Sequence, residues 1–195
     1  MDSPDSLEQI AAEVSACRRC RLWEARTRPV PGEGPSRVQV MIVGEGPGEQ
    51  EDQQGRPFVG RAGKLLTSLL EAAGLPRETV FIGNVVKCRP PGNRPPRQDE
   101  MRACFPYLQR QIALLQPAVI VALGSTAATA LLGQPVSIIQ DHGRWREASV
   151  LPDRSVPVFP TFHPAAALRS PAWRQGLEAD LAALVRELPS RAGSP

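Results

Sequence analysis

Val38-Gln39-Val40-Met41-Ile42-Val43-Gly44-Glu45-Gly46-Pro47-Gly48 reads as a short buried strand that runs straight into a glycine-rich turn. The run is β-branched and apolar with little polar alternation, so both faces of the strand should be covered. Outward from it the same pattern recurs. Residues 80–86, 118–123 and 156–161 read as three further strands, the last despite its flanking prolines. Helical spacing fills the intervals. Residues 62–73 carry an apolar stripe at Leu65, Leu66, Leu69 and Leu70, stopped by Gly74 and Pro76. Residues 98–115 form a long helix in which Pro106 predicts a kink or a later start. Ser125 is expected to cap a helix through Leu132, and residues 172–188 give an amphipathic closing helix. Ser6-Leu7-Glu8-Gln9 is a capping box opening a first short helix. Strands alternating with helices require right-handed crossovers. The expected fold is α/β, a four-stranded parallel sheet between helices, in one domain over 1–188 with a flexible tail at 189–195.

Composition narrows the class. Hydrophobic residues make up 42% of the 195, enough for a real core. No apolar run reaches the 18 residues a membrane helix needs. The polar start Met1-Asp2-Ser3-Pro4-Asp5 argues against a secretory signal, so a cytoplasmic setting in which thiols stay reduced is expected. The net charge of +3 permits nucleic-acid binding without demanding it. Only Lys64 and Lys87 are lysines; the other cations are arginines, which suit bidentate phosphate contacts.

Ligands of a parallel sheet bind beyond the carboxyl ends of its strands. That edge collects Gly44-Glu45-Gly46-Pro47-Gly48, the segment from Asn84 to Cys88, and Phe162-His163-Pro164. The first is not a dinucleotide loop: Glu49 stands where the third glycine belongs, and Pro47 removes an N–H. Gly63-Lys64 is not a phosphate loop either, because Phe58 replaces its first glycine and Leu65 its Ser or Thr. Phe58, in Gly55-Arg56-Pro57-Phe58-Val59-Gly60, suits either a base-stacking platform or a loop anchor. Asn84 interrupts an apolar strand and must find partners, in the backbone or in a ligand's donor–acceptor edge. His163 sits at the ligand edge; His142, in a turn, reads as a surface or hairpin residue.

Cys17 and Cys20 form C-x2-C, with Cys88 and Cys104 far downstream. A close pair and a distant pair meeting at one point make a metal or iron–sulfur site more readily than disulfides in a reducing compartment.

Together, Gly44-Glu45-Gly46-Pro47-Gly48 with Glu51-Asp52, Gly55-Arg56-Pro57-Phe58-Val59-Gly60, Asn84-Val85-Val86-Lys87-Cys88-Arg89-Pro90-Pro91 and Phe162-His163-Pro164 resemble the family 4 uracil-DNA glycosylases. The resemblance runs from about Cys17 to the closing helix. It implies the uracil-DNA glycosylase-like three-layer fold and a [4Fe-4S] cluster on Cys17, Cys20, Cys88 and Cys104. It also implies hydrolysis of the N-glycosidic bond of uracil flipped from DNA, leaving an abasic site. Phe58 would stack on uracil, Asn84 would bond the pyrimidine edge, and backbone at Gly46 would approach the base. His163 would donate to a uracil carbonyl and stabilise the departing anion. Glu45 is the candidate for orienting water or stabilising a sugar cation, and Glu51 for filling the space of thymine's methyl. Lys87, Arg89 and Arg169 would meet DNA phosphates, and Leu168 would wedge into the gap left by flipping. Gly46 stands where family 1 enzymes carry an aspartate base. No basic, histidine-bearing insert lies between Cys88 and Cys104, so turnover is expected rather than a covalent DNA complex. The expected partner is uracil-containing DNA, single- or double-stranded, met by a monomer; a sliding clamp is a candidate partner that the sequence does not show. The alternatives are a non-enzymatic nucleic-acid-binding module around a four-cysteine zinc site and a doubly wound nucleotide-binding enzyme.

Overall fold

A computed structural model describes residues 5–192. Met1 to Pro4, read above as a polar start, lie outside the described residues. The elements run α1 (Leu7–Ala16), α2 (Leu22–Ala25), β1 (Val40–Gly44), α3 (Glu49–Gln54), α4 (Arg61–Ala72), β2 (Phe81–Asn84) and α5 (Gln98–Leu115). They continue with β3 (Val119–Leu123), α6 (Gly124–Leu132), α7 (Ile138–Asp141), β4 (Arg146–Ala148), β5 (Val156–Thr161), α8 (Pro164–Ala167) and α9 (Pro171–Ala192).

The strand order is β2-β1-β3-β5-β4. The four strands read from the sequence pair in parallel, and β4 adds a fifth, antiparallel to β5. The expected four-stranded sheet is corrected to five. The extra strand is three residues long, and Arg146 and Glu147 are exposed, so it carries no apolar run to detect. Alternate residues of each parallel strand feed two cores. Met41, Val43, Ile120 and Ala122 pack with Ile10, Leu108 and Ile112 under α1, α5 and α6. Val40, Ile42, Val119 and Val121 pack with Leu66, Leu70, Leu177 and Leu184 under α4 and α9. Burying both sheet faces explains why the strands read as continuous apolar runs.

Three local expectations change. Pro106 lies inside α5, but the helix still starts at Gln98, where the Glu100 carboxylate accepts the Arg97 N–H at 2.7 Å. Helix α6 starts at Gly124, so Ser125 lies in its first turn rather than capping it. Helix α9 continues to Ala192, into the segment read as a tail, and residues 193–195 lie outside the described residues.

β1 leads to β2 on one side and β3 to β5 on the other, so the connections diverge between β1 and β3. In such sheets the crevice beyond that divergence is where ligands bind. The paired strand ends Gly44 with Asn84 and Leu123 with Thr161 form its floor.

Candidate active site

A pocket of about 430 Å³ opens over that edge, lined among others by Glu45, Gly46, Glu51, Phe58, Asn84 and His163. The structure thus brings together the six residues assigned to catalysis and base binding. Arg169 also borders it, and Leu168 beside it is 43% exposed.

Phe58 is buried in the pocket wall with φ at +50°. A left-handed backbone costs a residue with a Cβ roughly 1–2 kcal/mol, so neighbouring groups must hold it. Glu51 accepts the Val59 and Gly60 N–H groups, each at 2.9 Å. Arg77 donates to the Phe58 carbonyl at 2.9 Å and to the Pro57 carbonyl. Two glycines make the room. A Cβ on Gly63 would stand 1.9 Å from the Phe58 carbonyl oxygen. One on Gly44 would stand 2.5 Å from Asn84 Oδ1 and 2.6 Å from Phe58 Cζ.

Asn84 Oδ1 is, among the described residues, the one buried side-chain nitrogen or oxygen without a hydrogen-bond partner. Leaving such an acceptor unpaired costs about 1–3 kcal/mol, and it asks for an explanation at this site. The Asn84 backbone carbonyl, by contrast, accepts from Lys87 Nζ at 2.9 Å.

His163 follows β5. Its Nδ1 accepts the Ala165 N–H at 3.1 Å and caps α8. In the neutral ring that places the proton on Nε2. Burial pushes its pKa down to about 4, with Glu51 pulling the other way and Arg169 adding to the fall. Its ring centroid lies 5.8 Å from that of Phe58. Between pH 6.5 and 4 the unfolded chain therefore binds a proton that folded His163 does not, so stability falls as pH drops through that window. Denaturant titrations at pH 7 and pH 5 should show a larger loss for the wild type than for His163→Asn; equal losses would contradict a neutral His163.

Lys87 is corrected as a DNA contact. It is fully buried, with Nζ on the Asn84 carbonyl and on Gln111 Oε1 at 2.7 Å, and burial pushes its pKa down to about 8. It extends behind the pocket floor rather than into solvent. Arg89 is half-buried, with Nε on Asn93 Oδ1 at 2.7 Å. His142 is also more than a surface residue. Its Nδ1 lies 2.9 Å from Asp180, which accepts the Thr161 hydroxyl at 2.6 Å, and its ring packs on Phe162.

Sequence reasoning missed the first turn of α6, directly after β3, where Gly124, Ser125 and Thr126 line the pocket. The strand-edge rule applied to β3 would have found it. It also missed Arg77, which had no motif to mark it.

Cys17, Cys20, Cys88 and Cys104 converge as predicted, lining a second, smaller pocket with Val14, Trp23 and Tyr107. None of the four is in a disulfide. Lys87 N–H points to Cys104 Sγ and Arg26 Nη1 to Cys88 Sγ, both at 3.2 Å. Burial pushes Cys104 up to about 12 and raises Cys20 and Cys88. Among the described residues no three His, Cys, Asp or Glu form a set that could hold one metal ion.

Residues 31–187 match the Uracil DNA glycosylase superfamily. The Type-4 uracil-DNA glycosylase of Sulfurisphaera tokodaii is 49% identical over 188 residues, covering 94% of this chain and 85% of that protein. That of Saccharolobus solfataricus is 47% identical over 191 residues, covering 96% and 88%. The Thermotoga maritima protein of the same name is 47% identical over 168 residues, covering 84% of each. A match of this extent, carried on a doubly wound sheet with its pocket at the strand divergence, places the chain among the type-4 members of the uracil DNA glycosylase superfamily.

Proposed function

We propose that this chain excises uracil from DNA in the pocket at the β1–β3 divergence. The observation that carries the reading is the unpaired Asn84 Oδ1. Uracil presents an N3–H donor and a C4 carbonyl acceptor to that amide; cytosine presents the reversed pair, so the amide orientation that pairs with uracil mismatches cytosine. Phe58 stacks on the flipped ring, and Gly46 lets backbone approach it. The pinned Glu51 carboxylate stands on the pocket wall, where a methyl group on the base would meet it.

The uracil must first leave the stack, which costs a few kcal/mol. The C1′–N1 bond then breaks with its electron pair going to the base, and water attacks C1′. Neutral His163 donates from Nε2 to a uracil carbonyl as negative charge grows there, a stabilisation larger in the transition state than in the bound substrate. Glu45 borders the same pocket and in this reading orients water or meets positive charge on the sugar. Leaving-group protonation and the new C1′–OH bond complete hydrolysis, giving free uracil and an abasic site.

Arg89 and Arg169 are the phosphate contacts in this reading. Leu168 is the wedge, and Leu168→Ala should lower activity on duplex more than on single strands; equal loss on both would remove the wedge role. In this reading the protein acts on uracil-containing DNA as a monomer. The setting we propose is the cytoplasm; among the described residues no helix is long and apolar enough to cross a membrane.

A [4Fe-4S] cluster is the group the four cysteines fit best. All four line one pocket, and N–H donors already point at two of the sulfurs. Cys17, Cys20, Cys88 and Cys104 would hold it. When bound it supplies a structural tie, since hydrolysis needs no electron.

The reading is tested by incubating the protein with uracil-containing DNA and measuring released base beside alkali-labile sites. Equal amounts of both are expected. Tight DNA binding with neither product would favour the non-enzymatic binding module.

A further inference from the structure

Phe58 is held from its carbonyl side by a residue that lines none of the chemistry. Arg77 stands in the 3-10 turn Arg77–Thr79, and its side chain is only 18% exposed. One guanidinium spans two successive carbonyls, Pro57 and Phe58, and also reaches Thr67 Oγ1 at 3.2 Å. Nη2, which serves the Pro57 carbonyl, also donates to Glu33 Oε1 at 2.9 Å. Arg56 braces Glu33 from the other side, at 2.8 and 3.1 Å. Burial would raise the Glu33 pKa, but the two guanidiniums outweigh it and hold the carboxyl below its ordinary value.

Glu33 is in turn locked to β2. Its N–H donates to the Ile82 carbonyl at 2.9 Å, and Ile82 N–H donates back at 2.8 Å. Ile82 lies two residues before Asn84 on the same strand. One strand therefore carries the amide that reads the base and, through Glu33 and Arg77, the carbonyls that set the aromatic platform. Glu51 supplies the matching hold on the amide side of the loop.

We infer that Arg77, oriented by Glu33, is a positioning residue that fixes the Phe58 platform in register with Asn84, so that the pocket fits a pyrimidine before DNA arrives. The inference rests on the uracil-pocket reading above. Lysine cannot replace Arg77, because a single ammonium does not span two carbonyls in a fixed fork.

The test is inhibition by free uracil, which reports the pocket without DNA contacts. The inhibition constant is compared for wild type, Arg77→Lys, Phe58→Leu and the double variant, with thermal unfolding confirming that each is folded. Arg77→Lys should weaken uracil by about tenfold, in the range of a lost base–aromatic stack. In the Phe58→Leu background the same change should add almost nothing, because the platform it serves is gone. Should Arg77→Lys fail to fold, Glu33→Gln enters the same cycle and should give a smaller loss that also vanishes without Phe58. An inhibition constant within about twofold of wild type, or an effect that persists in full beside Phe58→Leu, would overturn the inference while leaving the uracil pocket standing. A wild-type protein that free uracil does not inhibit would remove the pocket reading and the clamp together.

Discussion

Cys104→Ser protein should purify without iron and acid-labile sulfide, and should unfold at least about 10 °C below the wild type, at about 2–4 °C per kcal/mol for a domain of this size. The physical reason is where the four cysteines sit. Cys17 and Cys20 follow α1, Cys88 follows β2 and Cys104 lies in α5. A bound group tethers three segments that are distant in sequence, and its binding free energy is then folding free energy. Cys104 is the one of the four that lies in α5, so its thiolate would tie that helix to the bound group. Serine offers a harder oxygen donor and cannot replace that ligand. Wild-type protein purified anaerobically should carry iron and sulfide. One zinc per chain with no sulfide would overturn the cluster while leaving the glycosylase reading intact.

His163→Ala should lower kcat on a uracil-containing oligonucleotide by about 10²–10³-fold with little change in KM, the range for loss of one donor aimed at developing charge. The change also removes the α8 cap at the Ala165 N–H, a cost of about 1 kcal/mol. Stability therefore moves modestly while activity collapses. Asn84→Ala should behave differently. It removes the orphaned Oδ1 and so should leave the protein as stable as the wild type or slightly more so, by up to about 1–3 kcal/mol. Its kcat/KM on uracil should fall by about 10–100-fold, as the base loses the groups that read its edge. Activity lost with stability gained is the mark of a polar group retained for function. If Asn84→Ala instead loses stability and keeps activity, its amide serves the core. A His163→Ala enzyme within about threefold of the wild type would leave the leaving group without its donor in this account.

The four parallel strands were legible because burial on both faces writes each as an unbroken apolar run, as in Val40 to Val43. β4 was not, because a three-residue edge strand with Arg146 and Glu147 exposed writes no such run. The pocket residues Phe58, Asn84 and His163 were legible as oddities in the right places: an aromatic in a loop, an amide in a strand, a histidine at a strand end. Lys87 was misread because a cation beside Cys88 and Arg89 reads as a phosphate contact; only the packing of α5, which brings Gln111 to its ammonium, shows that it turns inward. Arg77 left no trace in the sequence. Its proposed role depends on two carbonyls and on Glu33, which is separated from it by β1, α3 and α4 and is brought near by its bridge to Ile82. Contacts of that kind are made by the tertiary fold and have no local pattern.

The most direct test places uracil, thymine or cytosine at one position of an otherwise identical labelled oligonucleotide, incubates each with the wild-type protein, and follows strand cleavage in alkali. Cleavage at uracil alone is expected, with thymine intact because its methyl meets the Glu51 wall and cytosine intact because it presents its donor and acceptor to Asn84 in reverse. Cleavage at cytosine or thymine to a similar extent, or intact uracil strands from protein that carries its iron and sulfide, would contradict it.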